Sequence, residues 1–172
     1  MNSNDRLSRS AFQQESADAM QQESDTVRLG VPRELGSDEQ RVALVPQAVS
    51  ALSQRGFAIC LETGAGAAAG FRDEEYVRAG AEVIEDRTSL MSSCEVILQV
   101  RAEGAGAEAT VDAALSQKIL IAMCDPLSQP DTMAALAAQQ TTCFALELVP
   151  RITRAQSMDV LSSMDHLCSC GP

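Results

Sequence analysis

Three glycines in "LETGAGAAAGF", Gly64, Gly66 and Gly70, are spaced almost as in a loop that wraps a dinucleotide pyrophosphate. Glu85 lies about twenty residues past the first of them, where the ribose-binding acid of such a site falls. A loop of that kind opens directly onto a helix N-terminus, whose free N–H groups hold the phosphate oxygens. Here "FRDEE" follows, so the helix begins near Asp73, read as its N-cap. Asp73, Glu74 and Glu75 then place three carboxylates where the pyrophosphate would lie, with only Arg72 against them. The plainer reading is a strand-to-helix connection whose glycines permit positive φ.

Other residues invite chemistry less strongly. Arg41, between "GSDEQ" and "VALVP", has the planar fork that grips a carboxylate or phosphate, though an exposed loop arginine is the commoner case. His166 is the only histidine. With Asp165 and Ser162 it sits inside one short helical stretch, which does not give a nucleophile held by a base and an orienter. Cys168 and Cys170 stand just after His166, but no second ligand pair exists at finger-like spacing, so no metal site is expected. The densest polar cluster is "PRITRAQSMDVLSSM", Pro150 to Met164, which places Arg151, Arg154, Gln156, Asp159 and Ser162 around a helix start. No residue is read as a covalent catalyst.

These residues must be positioned by regular elements, and the totals allow them. The chain has 172 residues, 45% of them hydrophobic, enough for one domain with a core. Aromatics are scarce, so that core is aliphatic. A formal charge of −11 excludes a nucleic-acid surface, which needs clustered Lys and Arg. No apolar run approaches the ~18 residues of a membrane span, so no direct membrane insertion is expected. Residues 1–26 are rich in Ser, Gln, Asn and acid, lack the apolar stretch of a secretory signal, and read as a disordered tail. Cys60, Cys94, Cys124 and Cys143 fall in apolar segments and read as buried small hydrophobes in a reducing compartment.

From Val27 the pattern is regular. "VRLGV", "FAICLE", "AEVIE", "EVILQV", "ILIAM" and "TTCFALEL" read as strands. Between them, "VPQAVSALSQ", "RDEEYVRA", "RTSLMSS", "TVDAALSQK" and "PDTMAALAAQQ" read as helical, with Gly56 and Gly80 as stops. Strand and helix alternating with short links predict an α/β fold: a doubly wound, mostly parallel sheet with helices on both faces. Ligands of such sheets bind beyond the carboxyl ends of the strands, which is where "PRITRAQ" follows the last one.

Over 27–164 the sequence resembles a known family. "VRLGVPRELGSDEQRVALVPQAVSALSQRGFAICLETGAGAAAGFRDEEYVRAGAEVIE" and "PRITRAQSMDVLSSM" are similar to the N-terminal domain of the alpha subunit of proton-translocating NAD(P) transhydrogenase, in the superfamily that includes alanine dehydrogenase. The resemblance implies an NAD-binding subunit that passes hydride from NADH to NADP on a partner subunit, coupled to proton movement through a membrane portion. It implies a homodimer in the cytoplasm, held against the inner membrane by NADP-binding and membrane subunits. By position, Arg151 and Gln156 would contact the nicotinamide and its carboxamide, with Asp159 and Ser162 completing the cofactor-binding set. It also assigns "ETGAGAAAGF" to a loop of the first domain, away from the main nucleotide grip.

Alanine dehydrogenase is the weaker match. That branch's arginine is matched by Arg41, but its substrate-site lysine falls at Arg101 and its acid–base histidine near Asp125. A stand-alone binding or regulatory module is the other alternative. No glycine-rich strand–loop–helix fingerprint follows Met164, so the Rossmann NAD-binding domain of the family is expected to be absent. Residues 165–172, "DHLCSCGP", read as an aberrant ending. The apolar side of the helix from Gln156 would then lose a neighbour, predicting reduced stability or self-association and weak nucleotide binding.

Overall fold

The computed structural model describes residues 26–36, 38–102, 111–150, 152, 153 and 155. Strand β1 (Arg28–Val31) leads through a long loop to helix α1 (Pro46–Ser53). Pro46 suits the first helical turn, where its missing N–H is not needed. Gly56, at φ 88°, turns the chain into β2 (Ala58–Glu62). Helix α2 (Asp73–Ala79) ends at Gly80, whose φ of 100° lets its N–H bond back to the last turn. Strand β3 (Ala81–Ile84), helix α3 (Arg87–Ser93) and strand β4 (Val96–Arg101) follow. Asp86 caps α3 by accepting from the Ser89 N–H at 2.7 Å. Beyond residue 110 come β5 (Ile119–Met123), α4 (Pro130–Ala138) and β6 (Thr142–Ala145).

The six strands form one sheet in the order β3-β2-β1-β4-β5-β6, and every pairing is parallel. The doubly wound expectation therefore holds. The order reverses between β1 and β4, where Leu29 pairs with Val96 and Gly30 with Ile97. That reversal defines the switch point of the sheet.

Each face carries its own core. Val49 of α1 and Tyr76 of α2 pack on Leu29, Val31, Ile59 and Leu61. Leu90 and Met91 of α3 and Leu136 of α4 pack on Cys60, Ile97, Leu120 and Ala122 across the sheet. The Tyr76 hydroxyl is satisfied in this apolar setting, since it donates to the Leu44 carbonyl at 3.0 Å.

Three local expectations differ from the structure. Asp73 is the first helical residue of α2 and Arg72 is its N-cap, because the Asp73 carboxylate is drawn back to the Gly64 N–H at 3.0 Å. "TVDAALSQK" yields only a 3-10 turn, Ala113–Leu115, because Gln117 takes φ 59° and sends its N–H across to Gln139. "TTCFALEL" stops being a strand at Ala145 and continues as a 3-10 turn, Leu146–Leu148. The turn brings Glu147 back to the end of β5.

Candidate functional site

The carboxyl edge of a doubly wound sheet is its ligand-binding side because backbone N–H groups emerge there without partners. In this chain those groups already have partners. At the end of β1, the Arg33 N–H donates to Glu62 at 2.8 Å. Past β2, the Gly64 N–H donates to Asp73. At the end of β4, the N–H groups of Val100 and Arg101 donate to Glu34 at 2.7 and 3.2 Å. Beyond β5, those of Cys124 and Asp125 donate to Glu147, the first at 2.8 Å. Four strand ends are thus each capped by a carboxylate of the same chain, where phosphate oxygens would otherwise bind.

Two of these caps lock the loop after β1. Glu62, only 8% exposed, also accepts from Arg87 at 2.8 Å, and the same Arg87 nitrogen donates to the Arg33 carbonyl. Glu34 bridges the switch point from β1 to β4. Burial pushes its carboxyl up from the ordinary value, and the Val100 and Arg101 N–H groups counter only part of that.

That fixed loop and the ends of β4 and β5 enclose a cleft of about 420 Å³. Its walls are apolar: Val42, Ala43, Val45 and Ala69 on one side, Val100, Met123 and Leu146 on the other. Two polar side chains reach it, Arg41 and Gln99. Arg41 is gripped by Glu39, with Nε to Oε1 at 2.6 Å and Nη2 to Oε2 at 2.5 Å. Hydrogen bonding from Arg41 holds the Glu39 carboxyl below its ordinary range. The carboxylate that the Arg41 fork grips is therefore one from this chain. Gln99 is 3% exposed, and its Oε1 is buried without a partner among the described residues. Sequence reasoning misses Gln99, although a glutamine inside "EVILQV", an otherwise apolar buried strand, is an available signal.

The glycine loop has a structural account that needs no ligand. Gly64 and Gly70 take φ 74° and 85°. At Gly66 a Cβ would come within 2.5 Å of the Tyr76 ring. The loop follows β2, and Ala69 is its one contribution to the cleft, whose lining includes none of the three glycines. Glu85 lies past β3 and lines neither the pocket of this loop nor the cleft.

The four residues expected to bind cofactor, Arg151, Gln156, Asp159 and Ser162, lie outside the described residues, as do His166, Cys168 and Cys170. The described chain reaches Ala155, which is buried, a few residues past the Leu146 wall of the cleft. Among the described residues no group of three or more His, Cys, Asp or Glu side chains could hold a metal, and no helix is long and apolar enough to cross a membrane.

Comparison with known proteins adds to this geometry. The family model "Alanine dehydrogenase/PNT, N-terminal domain" matches residues 30–168. NAD(P) transhydrogenase subunit alpha of Cereibacter sphaeroides is 35% identical over 142 residues, which cover 82% of this chain and 26% of the relative. Alanine dehydrogenase of Methanococcus maripaludis is 30% identical over 139 residues, 81% of this chain and 36% of that one. The crystal structure of transhydrogenase from Sinorhizobium meliloti superposes with a TM-score of 0.73 at 37% identity, covering 81% of this chain and 39% of that one. The chain thus spans between 26% and 39% of the length of these relatives. With the six-stranded parallel sheet and its order, these matches show that the chain belongs to the family of alanine dehydrogenase/PNT N-terminal domains.

Proposed function

We propose that this chain forms the nicotinamide-side half of an NAD(H) site in a transhydrogenase alpha subunit. The observation that carries the reading is the likeness of four-fifths of the chain to transhydrogenase alpha subunits, with an apolar cleft at the carboxyl edge of the sheet. The described residues fit one end of a dinucleotide and not the other. Apolar walls suit a flat ring, and the unpartnered Gln99 Oε1 suits the N–H of a carboxamide. The carboxylate-capped strand ends do not suit a pyrophosphate, which must be held by residues outside the described ones.

Within that site the chain's residues bind and orient. The cleft walls exclude water, which strengthens any hydrogen bond made inside. Gln99 fixes the rotation of the ring through its amide substituent. Arg151, Gln156, Asp159 and Ser162 complete the polar set on the segment that leaves β6. When bound, the dinucleotide supplies the hydride itself. The acceptor is NADP on a partner subunit, and transfer is coupled to proton translocation through membrane subunits that hold this homodimeric chain against the cytoplasmic face of the inner membrane.

The test is reconstitution. The chain is mixed with a separately produced dinucleotide-binding domain of a transhydrogenase alpha subunit and with its NADP-binding partner. Reduction of thio-NADP by NADH is then followed at the absorbance of the reduced thio-nucleotide. Turnover that requires this chain supports the reading. No turnover at saturating protein, while the N-terminal domain of a known transhydrogenase restores it, would sink the proposal.

A further inference from the structure

The last two strands of the sheet hold a pair of sulfurs that hydride transfer does not use. Strand β6 ends the strand order, with β5 as its neighbour. Leu120 pairs with Cys143 and Ala122 with Ala145, so these four side chains share one face of the sheet. The Ala122–Ala145 pair is small and leaves room above it. Cys124, one residue past β5, turns its side chain back over that pair. Its Sγ donates to the Ala122 carbonyl at 3.5 Å and lies 3.1 Å from the Cys143 Sγ. The backbone on either side of this contact is fixed. Strand register holds Cys143, and the Glu147 carboxylate accepts from the N–H groups of both Cys124 and Asp125.

The two residues differ in access. Cys124 is fully buried, in the core that includes Leu115, Leu120 and Leu136, whereas Cys143 is only partly buried on the outermost strand. A small molecule therefore reaches the pair through Cys143. Exposure assigns the roles: Cys143 meets the oxidant, and Cys124 waits behind it as the resolving thiol. Burial first, then the contact with Cys143 and the Glu147 charge, pushes the Cys124 thiol up, so it keeps its proton until that second step. Among the described residues no third His, Cys, Asp or Glu joins the pair in a metal-binding group. A disulfide needs its sulfurs about 2.05 Å apart, so the 3.1 Å contact has only about 1 Å to close, within the reach of side-chain rotation.

We propose that Cys124 and Cys143 are a modification site, a thiol pair that hydrogen peroxide converts to an internal disulfide. The Cys143 thiolate attacks one peroxide oxygen; an S–O bond forms, the O–O bond breaks, and the leaving oxygen takes a proton from solvent and departs as water. Cys124 then attacks the Cys143 sulfur; the S–S bond forms, the S–O bond breaks, and a second water carries off the Cys124 proton. Two thiols lose two electrons and the peroxide is reduced to two waters. Cys124 is one residue past Met123 and Cys143 three before Leu146, so the bond ties together the segments that carry two walls of the cleft. The inference is independent of the hydride-transfer reading.

The full chain, treated with hydrogen peroxide, blocked with N-ethylmaleimide and digested without reductant, tests it. A protease that cuts before aspartate leaves Cys124 in peptide 112–124 and Cys143 in 131–158, with Cys60 in 38–72, Cys94 in 86–111 and Cys168 and Cys170 in 165–172. The expected product is a reducible cross-link between 112–124 and 131–158, two hydrogens lighter than their sum. Before oxidation, iodoacetamide should label Cys143 of the folded chain about tenfold faster than Cys124. In Cys124→Ser, Cys143 should stop at a sulfenic acid that dimedone traps. In Cys143→Ser, Cys124 should remain a thiol. Absence of the cross-link in the folded wild-type chain overturns the proposal. So does alkylation of Cys124 as fast as Cys143, or oxidation of Cys124 in Cys143→Ser.

Discussion

At the carboxyl edge of the sheet, the backbone donors at the ends of β1, β2, β4 and β5 are each taken by a carboxylate: Glu62, Asp73, Glu34 and Glu147. At the amino edge the reverse holds, with a guanidinium, Arg28, that donates to the Cys60 sulfur and to Glu82. Both edges belong to one sheet whose strand order is that of a nucleotide-binding fold. The difference teaches that topology supplies a place for phosphate but not the grip. Free N–H groups supply the grip, and here the chain's own acids occupy them. The strongly acidic composition thus has a structural use beyond solvation.

The largest break in that arrangement is Glu62→Ala. It takes the carboxylate from Arg87 and from the Arg33 N–H together, and removing one member of a buried charged pair costs about 3–5 kcal/mol. The urea midpoint should fall accordingly, with an unchanged slope. A drop under about 1 kcal/mol would mean that this cap behaves like an exposed ion pair.

Next in size is the pair of glycine substitutions that separates packing from backbone strain. Gly66→Ala forces a Cβ against the Tyr76 ring and should cost about 1–3 kcal/mol as overpacking. Gly64→Ala meets nothing within 4 Å, so only its positive φ is strained, at about 1–2 kcal/mol. Tyr76→Phe should relieve only part of the Gly66→Ala cost, because it removes the hydroxyl at 2.7 Å but leaves ring carbons at 2.5 and 3.0 Å, and should add about 1–3 kcal/mol from the unpaired Leu44 carbonyl. Thermal melts of the single and double variants check this. In the reconstituted assay neither glycine variant should alter nucleotide affinity in the fraction that stays folded.

The sequence is a better guide to elements than to these contacts. Apolar runs such as "ILIAM" and glycine stops such as Gly80 announce themselves locally, and the alternation of strand and helix leads to the sheet class. The carboxylate caps do not announce themselves: Glu34 meets Val100 across 66 residues, and Glu62 meets Arg33 across 29. No spacing rule covers such pairs, because they depend on which strands lie side by side. The packing of Cys94 against β1 is hidden for the same reason, since a Cβ at position 30 would meet its Cβ and Sγ at 3.1 Å. The helix expected over 110–118 fails for a local reason that propensity does not weigh, a tertiary claim on the Gln117 N–H. The family resemblance reaches the candidate site residues after β6, which lie outside the described residues.

The smallest effect tests the comparison most closely. Burial is the main influence on Glu34 and raises its carboxyl, so the folded chain holds that proton more tightly than the unfolded chain does. The favourable contribution is then complete below the ordinary glutamate value of about 4.3 and is lost as pH rises through the raised one. Glu34→Gln abolishes the titration, and its single amide oxygen can cap only one of the two N–H groups. Urea midpoints of both proteins across acid to neutral pH should show the wild-type advantage shrinking as pH rises. Glu39, held low by Arg41, titrates the other way in both proteins and cancels in the difference. If the advantage instead grows with pH, the Val100 and Arg101 N–H groups outweigh burial and favour the anion. The end of β4 would then be a working anion site with a resident carboxylate, and a phosphate group able to displace Glu34 would again be a ligand to test at this edge.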